Sequence, residues 1–207
     1  MIPGDVYTKN QLDKLGNAII FLCNKMPEPI TKTHVLKLIF IIEEISVKKF
    51  GMPFFDLNFY VWQLGPVAKD LYVELSPNEP EYNENVLLEN YITKEIKDNK
   101  VYINSKIDFC DDEFSDLELE LLGNVIERFK YCTANELINF THRKNSPWYN
   151  AALKNGVLDL LESKQMTTTE IKIDLSETIK DDEQKLALYY SHKEFLIQSR
   201  SLKLQSV

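Results

Sequence analysis

THVLKLIFIIEEISVKKFG, residues 33–51, runs straight into MPFFDLNFYVWQLGPVAKDLYVEL, residues 52–75. The first piece reads as a helix of about five turns. Thr31 or Thr33 can cap its start, because a short hydroxyl accepts from the orphan amides of a first turn. Lys48 and Lys49 fall in the last turn, where cations oppose the negative end of the dipole, and Gly51 suits a left-handed C′ position. Between these ends almost every direction around the axis is apolar, so the helix is expected at the centre of the core. Alternation over 57–64 predicts a short strand, with Leu57, Phe59 and Val61 opposed to Tyr60, Trp62 and Leu64. Gly65-Pro66 is then expected to open a second helix, since proline at a first helical position loses no hydrogen bond.

Polar residues on an apolar helix need a reason. At about 100° per residue, Lys37, Glu44 and Lys48 fall within about 40° of one another and form one polar stripe, the solvated positions of the helix, with Glu44 and Lys48 as a favourable i,i+4 pair. Ile41 shares that stripe, so it is either covered by another part of the chain or offered to a partner. Glu43 points the other way, among Leu36, Ile39, Phe40, Val47 and Phe50, where a carboxylate needs a cation or a donor. His142, Arg143 or a lysine from the second half of the chain would serve. Trp62 is expected to be a core anchor, its ring against the central helix and its N–H bonded.

Outward from this stretch the helices announce themselves by their caps. Thr8-Lys9-Asn10-Gln11, Ser115-Asp116-Leu117-Glu118 and Thr133-Ala134-Asn135-Glu136 are capping boxes, in which the third residue of the helix reaches back to the cap. They predict helices over about 9–26, after Ser115 with Leu121, Leu122, Val125 and Phe129 on one face, and after Thr133 with Leu137, Ile138 and Thr141. Pro27 and Pro29 end the first of these. Ser146-Pro147 starts another, with Trp148 in its first turn and Asn155-Gly156 closing it. Residues 76–80 are expected to form an irregular loop. Asp98-Asn99, between Tyr91–Ile96 and Val101–Ile107, predicts a hairpin that extends the sheet begun by 57–64. Beyond Lys164 come an alternating strand, 171–175, and a charged helix over about 178–199 with Leu186, Tyr189, Tyr190 and Leu196 on one side. The fold class is α+β, mainly α, with a small antiparallel sheet. Residues 1–160 are expected to form the main domain and 161–207 a strand-helix extension packed on it.

Composition narrows the chemistry. The chain has 207 residues and a net charge of −8, which counts against a nucleic-acid binder. Cys23, Cys110 and Cys132 are widely spaced and without a Cys-x-x-Cys, as free thiols in a reducing compartment would be. No leader or membrane-length apolar run is evident, so a cytoplasmic location without a membrane partner is expected. There is no glycine-rich phosphate loop, no Gly-x-Ser-x-Gly elbow and no paired histidines. The carboxylates between Asp108 and Glu118 lack calcium-loop spacing and read as a solvated loop feeding a helix N-terminus. His34, His142 and His192 stand singly. His142 alone merits a functional reading, against the plainer one of a structural histidine near Trp148.

Leu36-Lys37-Leu38-Ile39-Phe40, Phe50-Gly51 with Pro53-Phe54-Phe55, Trp62-x-x-Gly65-Pro66-Val67 and Leu71-Tyr72 resemble the first signature of the Panacea domain. Leu137-x-x-x-Thr141-His142 followed by Pro147-Trp148 is similar to its second. Phe40 and Val61 stand where the family often has tyrosine and alanine, as packing changes. The likeness spans about residues 8–155. It implies an antitoxin that neutralises a toxin encoded by an adjacent gene through direct contact, and SocA-like members also deliver the toxin to a cytosolic protease. It implies no cofactor, metal or catalytic residue. Glu43, Trp62, Gly65, Pro66, Tyr72, Pro147 and Trp148 are then signature residues of the scaffold. Lys37, Ile41, Glu44, His142, Tyr189 and Tyr190 are the candidates for partner binding. The alternatives are a DNA-binding autoregulator and a small enzyme working through His142.

Overall fold

A computed structural model describes residues 7–77 and 87–204, with side chains as far as residue 198; residues 78–86, which include most of the loop expected at 76–80, lie outside it. The described chain is mainly helical with two small antiparallel sheets. Helix α1, Lys9–Lys25, begins at the Thr8–Gln11 capping box. A two-residue strand β1, Ile30–Thr31, leads into α2, Lys32–Phe50. Thr31 is the cap of α2, and its N–H donates to His34 Nδ1 at 3.2 Å, so a histidine fills the place a glutamate usually takes. At the other end Gly51 is left-handed at φ 70°. A Cβ there would sit 2.8 Å from the backbone of Lys185, so glycine also admits the C-terminal helix.

Helix α2 is the centre of the molecule. Residues 35–44 are buried without a break, and α2 touches β1, β3, α3, β5, α4, α5 and the C-terminal elements. One expectation about it is corrected: Lys37, Ile41 and Glu44 do not form a solvated stripe, being 1%, 0% and 2% exposed. A helix surrounded on all sides has no wet face, so its polar positions are buried with the rest.

Strand β2, Phe59–Trp62, turns at Gln63-Leu64 into β3, Gly65–Ala68, with Trp62 opposite Gly65 and Val61 opposite Pro66. Gly65-Pro66 therefore continues a hairpin and does not start a helix. Proline forces the preceding residue away from the helical region and is tolerated on an outer strand that asks it for no N–H. Helix α3 begins only at Lys69 and runs to Glu74. The second hairpin, β4 (Ile92–Lys97) with β5 (Lys100–Ser105), turns on Asp98 and Asn99, both at positive φ. It does not extend the β2–β3 sheet: β5 pairs with β1 through Ile30–Ile103 and Thr31–Tyr102.

Helices α4 (Asp116–Phe129), α5 (Ala134–His142) and α6 (Pro147–Lys154) start at their expected caps. A short α7, Leu158–Glu162, follows. The segment expected as a strand from 171 runs beside β2 with only an isolated bridge, Tyr60 to Lys172. The N–H groups of Val61 and Gln63 donate to Ile171 and Thr167 carbonyls, and that of Ile173 donates to Phe59. A 3-10 turn, Leu175–Thr178, and α8, Glu183–Leu204, complete the chain. Tyr189 of α8 is buried in the common core, while Tyr190 is half exposed.

Candidate functional site

The two signature segments meet where α5 lies across α2 and β3. At the meeting point Gly65 has φ 97°, and an added Cβ would lie 2.8 Å from Thr141 Oγ1, 3.1 Å from Lys37 Nζ and 3.2 Å from His142 Nε2. Three polar groups, from α2 and α5, thus close on the one backbone position that has no side chain. Lys37 Nζ donates to the Pro66 carbonyl at 3.0 Å. Burial pushes the Lys37 ammonium down to about 7. His142 is pushed down to about 4, by burial first and by Lys37 second, so its ring is neutral at neutral pH. Its Nε2 has no hydrogen-bond partner among the described residues. The ring stacks on Trp148 at 3.9 Å between centroids and 16° between planes.

Trp148 is the tryptophan that anchors this junction. It is fully buried, and its N–H donates to the Trp62 carbonyl at 2.9 Å, tying α6 to β2. Trp62 is only half-buried, which corrects the expectation of a core anchor against α2. Its ring meets Tyr72 edge-on at 5.1 Å, and its N–H donates to the Thr169 carbonyl at 3.2 Å. Tyr72 is on the surface, with Lys32 Nζ 3.1 Å from its ring centre. Below Trp148, Ser146 caps α6 by accepting from Tyr149 N–H and donates to the Thr141 carbonyl at 2.7 Å. Ser146 and Pro147 are both buried.

The two glutamates of α2 divide the work differently from the expectation. Glu43 is buried, but no side chain of α5 is bonded to it. Phe54 and Phe55 N–H donate to its Oε2 at 3.0 and 2.7 Å, and Asp56 N–H donates to Oε1 at 3.0 Å. The carboxylate thus stitches the 52–56 turn to α2. Burial raises its pKa to about 7 while these donors pull it down. Glu44 is the residue that reaches the second signature: its Oε1 is bound by Arg143 and by Lys48. Arg143 also donates to the Phe140 carbonyl at 2.8 Å and lies 4.1 Å over that ring. Arg143, Thr141 and Ser146 are the members of this junction that sequence reasoning underrated. The signal was the Lys37–Glu44 spacing, two turns apart on a helix with no wet side, which calls for two separate partners.

The remaining candidates lie elsewhere. Tyr190 OH, on α8, is 3.3 Å from Ser176 Oγ. His34 caps α2, and His192 stands half-buried on α8. The cysteines are free, and Cys23 is pushed up to about 12 by burial. Among the described residues no group of three or more His, Cys, Asp or Glu could hold a metal ion, and no helix is long and apolar enough to cross a membrane.

The junction therefore holds together two sequence segments about 75 residues apart by polar contacts that leave little of themselves at the surface. No curated protein and no solved structure is detectably similar to the chain. A family model does match, Antitoxin SocA-like, Panacea domain, and it covers residues 35–149, from the first turn of α2 to the residue after Trp148. That span is more than half of the chain and takes in both halves of the junction, and the chain belongs to the SocA-like antitoxin family with a Panacea domain.

Proposed function

We propose that this protein is an antitoxin that neutralises a toxin encoded beside it by direct protein–protein contact. The observation that carries the reading is the family match over residues 35–149. The geometry supports it. Lys37, Glu44, Arg143 and His142 are turned inward on one another, on carbonyls or on Trp148. Groups used this way build a rigid scaffold, and a rigid scaffold acts through its surface. The net charge of −8 suits a protein partner better than nucleic acid.

Co-expression of the adjacent reading frame with and without this chain tests the reading. Growth arrest by the neighbour alone, rescue by this chain and co-purification of the two are expected. The complex should survive moderate salt, unlike binding through several phosphates, which weakens steeply. A neighbour that is harmless alone and does not co-purify ends the antitoxin reading. Delivery of the toxin to a cytosolic protease is a further step of the same proposal. It requires the toxin's half-life to shorten when this chain is present and to recover in a protease-deficient strain.

A further inference from the structure

A cleft of about 460 Å³ opens between the start of α1, the 52–56 turn, the start of α4 and α8. This is within the range of roughly 300–1,000 Å³ typical of sites that seat a ligand or anchor side chains. Phe50, Met52, Phe54, Phe55, Leu117 and Leu196 give it an apolar lining. Two of these stand open to solvent at its mouth, Leu117 at 58% and Met52 at 38%. The wall formed by α4 and the loop before it is acidic. Residues 107–127 contain eight Asp or Glu and no lysine or arginine, and Asp111, Asp112, Asp116 and Glu120 are exposed. Three cations near the cleft are paired with carboxylates: Lys14 with Glu118, Lys49 with Glu120 and Lys193 with Asp56.

We infer that this cleft seats a basic, apolar segment of the protein partner, lysine or arginine flanking a large apolar side chain. The inference rests on the antitoxin reading above and specifies where and by what chemistry the toxin is gripped. The apolar side chain fills the cleft and displaces water from six apolar residues. The flanking cations face the α4 wall. Charge decides among occupants. Nucleic acid and anionic lipid are repelled by the acidic wall. A second copy of this chain docking through the same patch would set one acidic wall against another.

Two probes test this: the purified product of the adjacent gene, and a short synthetic peptide of alternating lysine and leucine with one tryptophan for fluorescence. Leu117→Arg and Met52→Arg change the mouth of the cleft. Leu153→Arg makes the same charge change at an exposed position on α6, outside the cleft. All three sites are exposed, and unchanged circular dichroism and melting confirm the fold. Both cleft variants are expected to weaken both probes by about tenfold or more, with Leu153→Arg within about twofold of wild type. Equal loss in Leu153→Arg overturns the inference, because generic charge attraction then suffices. Undiminished binding of the gene product by Leu117→Arg overturns it too, while leaving the antitoxin reading intact. If the gene product fails to bind wild type but the peptide binds in a cleft-dependent way, the cleft stands and the antitoxin reading falls. Failure of both probes on wild type, or a wild-type dimer that Leu117→Arg splits, removes the basic segment as occupant.

Discussion

At the scale of single residues, Gly65 carries more constraint than any charged neighbour. Its φ of 97° is a conformation L side chains rarely adopt, and the space where a Cβ would go is already bounded by Thr141, Lys37 and His142. Gly65→Ala combines backbone strain with overpacking, and a loss of about 2–4 kcal/mol is expected from urea unfolding. Lys37 makes a different prediction. Its ordinary value of 10.5 is pushed down to about 7 by burial. Between these values the unfolded chain binds a proton that the folded chain does not, so stability rises with pH across this window. The contribution is lost as pH falls through about 7. Lys37→Met removes the buried amine, so the wild-type slope between about pH 7 and 10 should flatten in the variant. Lys32 shifts in the same direction, to about 8, so the difference between wild type and variant is the quantity to read. An unchanged slope in Lys37→Met would show that Lys37 titrates normally.

At the scale of elements, the question is what fastens α5 and α6 to the β2–β3 hairpin. Trp148 is buried, stacks on His142 and donates to the Trp62 carbonyl. Trp62 is half-buried against Tyr72 and the C-terminal segment. Trp148→Ala is therefore expected to cost about 3–5 kcal/mol, the usual range for a fully buried aromatic, and Trp62→Ala about 1–2 kcal/mol. Chemical unfolding of the two variants side by side checks the order. If Trp62→Ala is the more damaging, the junction is not organised around Trp148.

Taken as one body, the molecule extends beyond the family match. The chain after Ser163 supplies carbonyls to Val61 and Gln63, takes the Phe59 carbonyl, and buries Ile173, Leu175, Ile179 and Tyr189 in the common core. Lys193 meets Asp56, and Lys185 donates to the Lys48 carbonyl at 3.0 Å. Without these residues β2 would expose its free edge and α2 part of its apolar surface. A chain ending at Ser163 is accordingly expected to lose its cooperative thermal transition and to aggregate, as read by calorimetry and light scattering. A sharp transition within a few degrees of the full chain would mean that residues 164–207 are an appendage to an independent domain.

The sequence by itself determined what depends on near neighbours. The Thr8, Ser115 and Thr133 capping boxes, the Ser146-Pro147 start and the Asp98-Asn99 turn are each satisfied within four residues, so their chemistry is legible in any context. The α2 pattern was legible for the same reason, as was the need of Glu43 for donors. Only the tertiary structure decided what lies opposite each face. Gly65-Pro66 suits a helix start or an outer strand equally well, and the pairing with β2 chose the strand. Lys37 and Glu44 read as solvent-facing until α5 and the hairpin covered them with a carbonyl and a guanidinium. Trp62 is less buried than expected, and Trp148 is the core anchor, because burial is set by whichever element packs on each face. For β2 that element is the C-terminal segment, more than 100 residues away, and helical or strand periodicity carries no information about it.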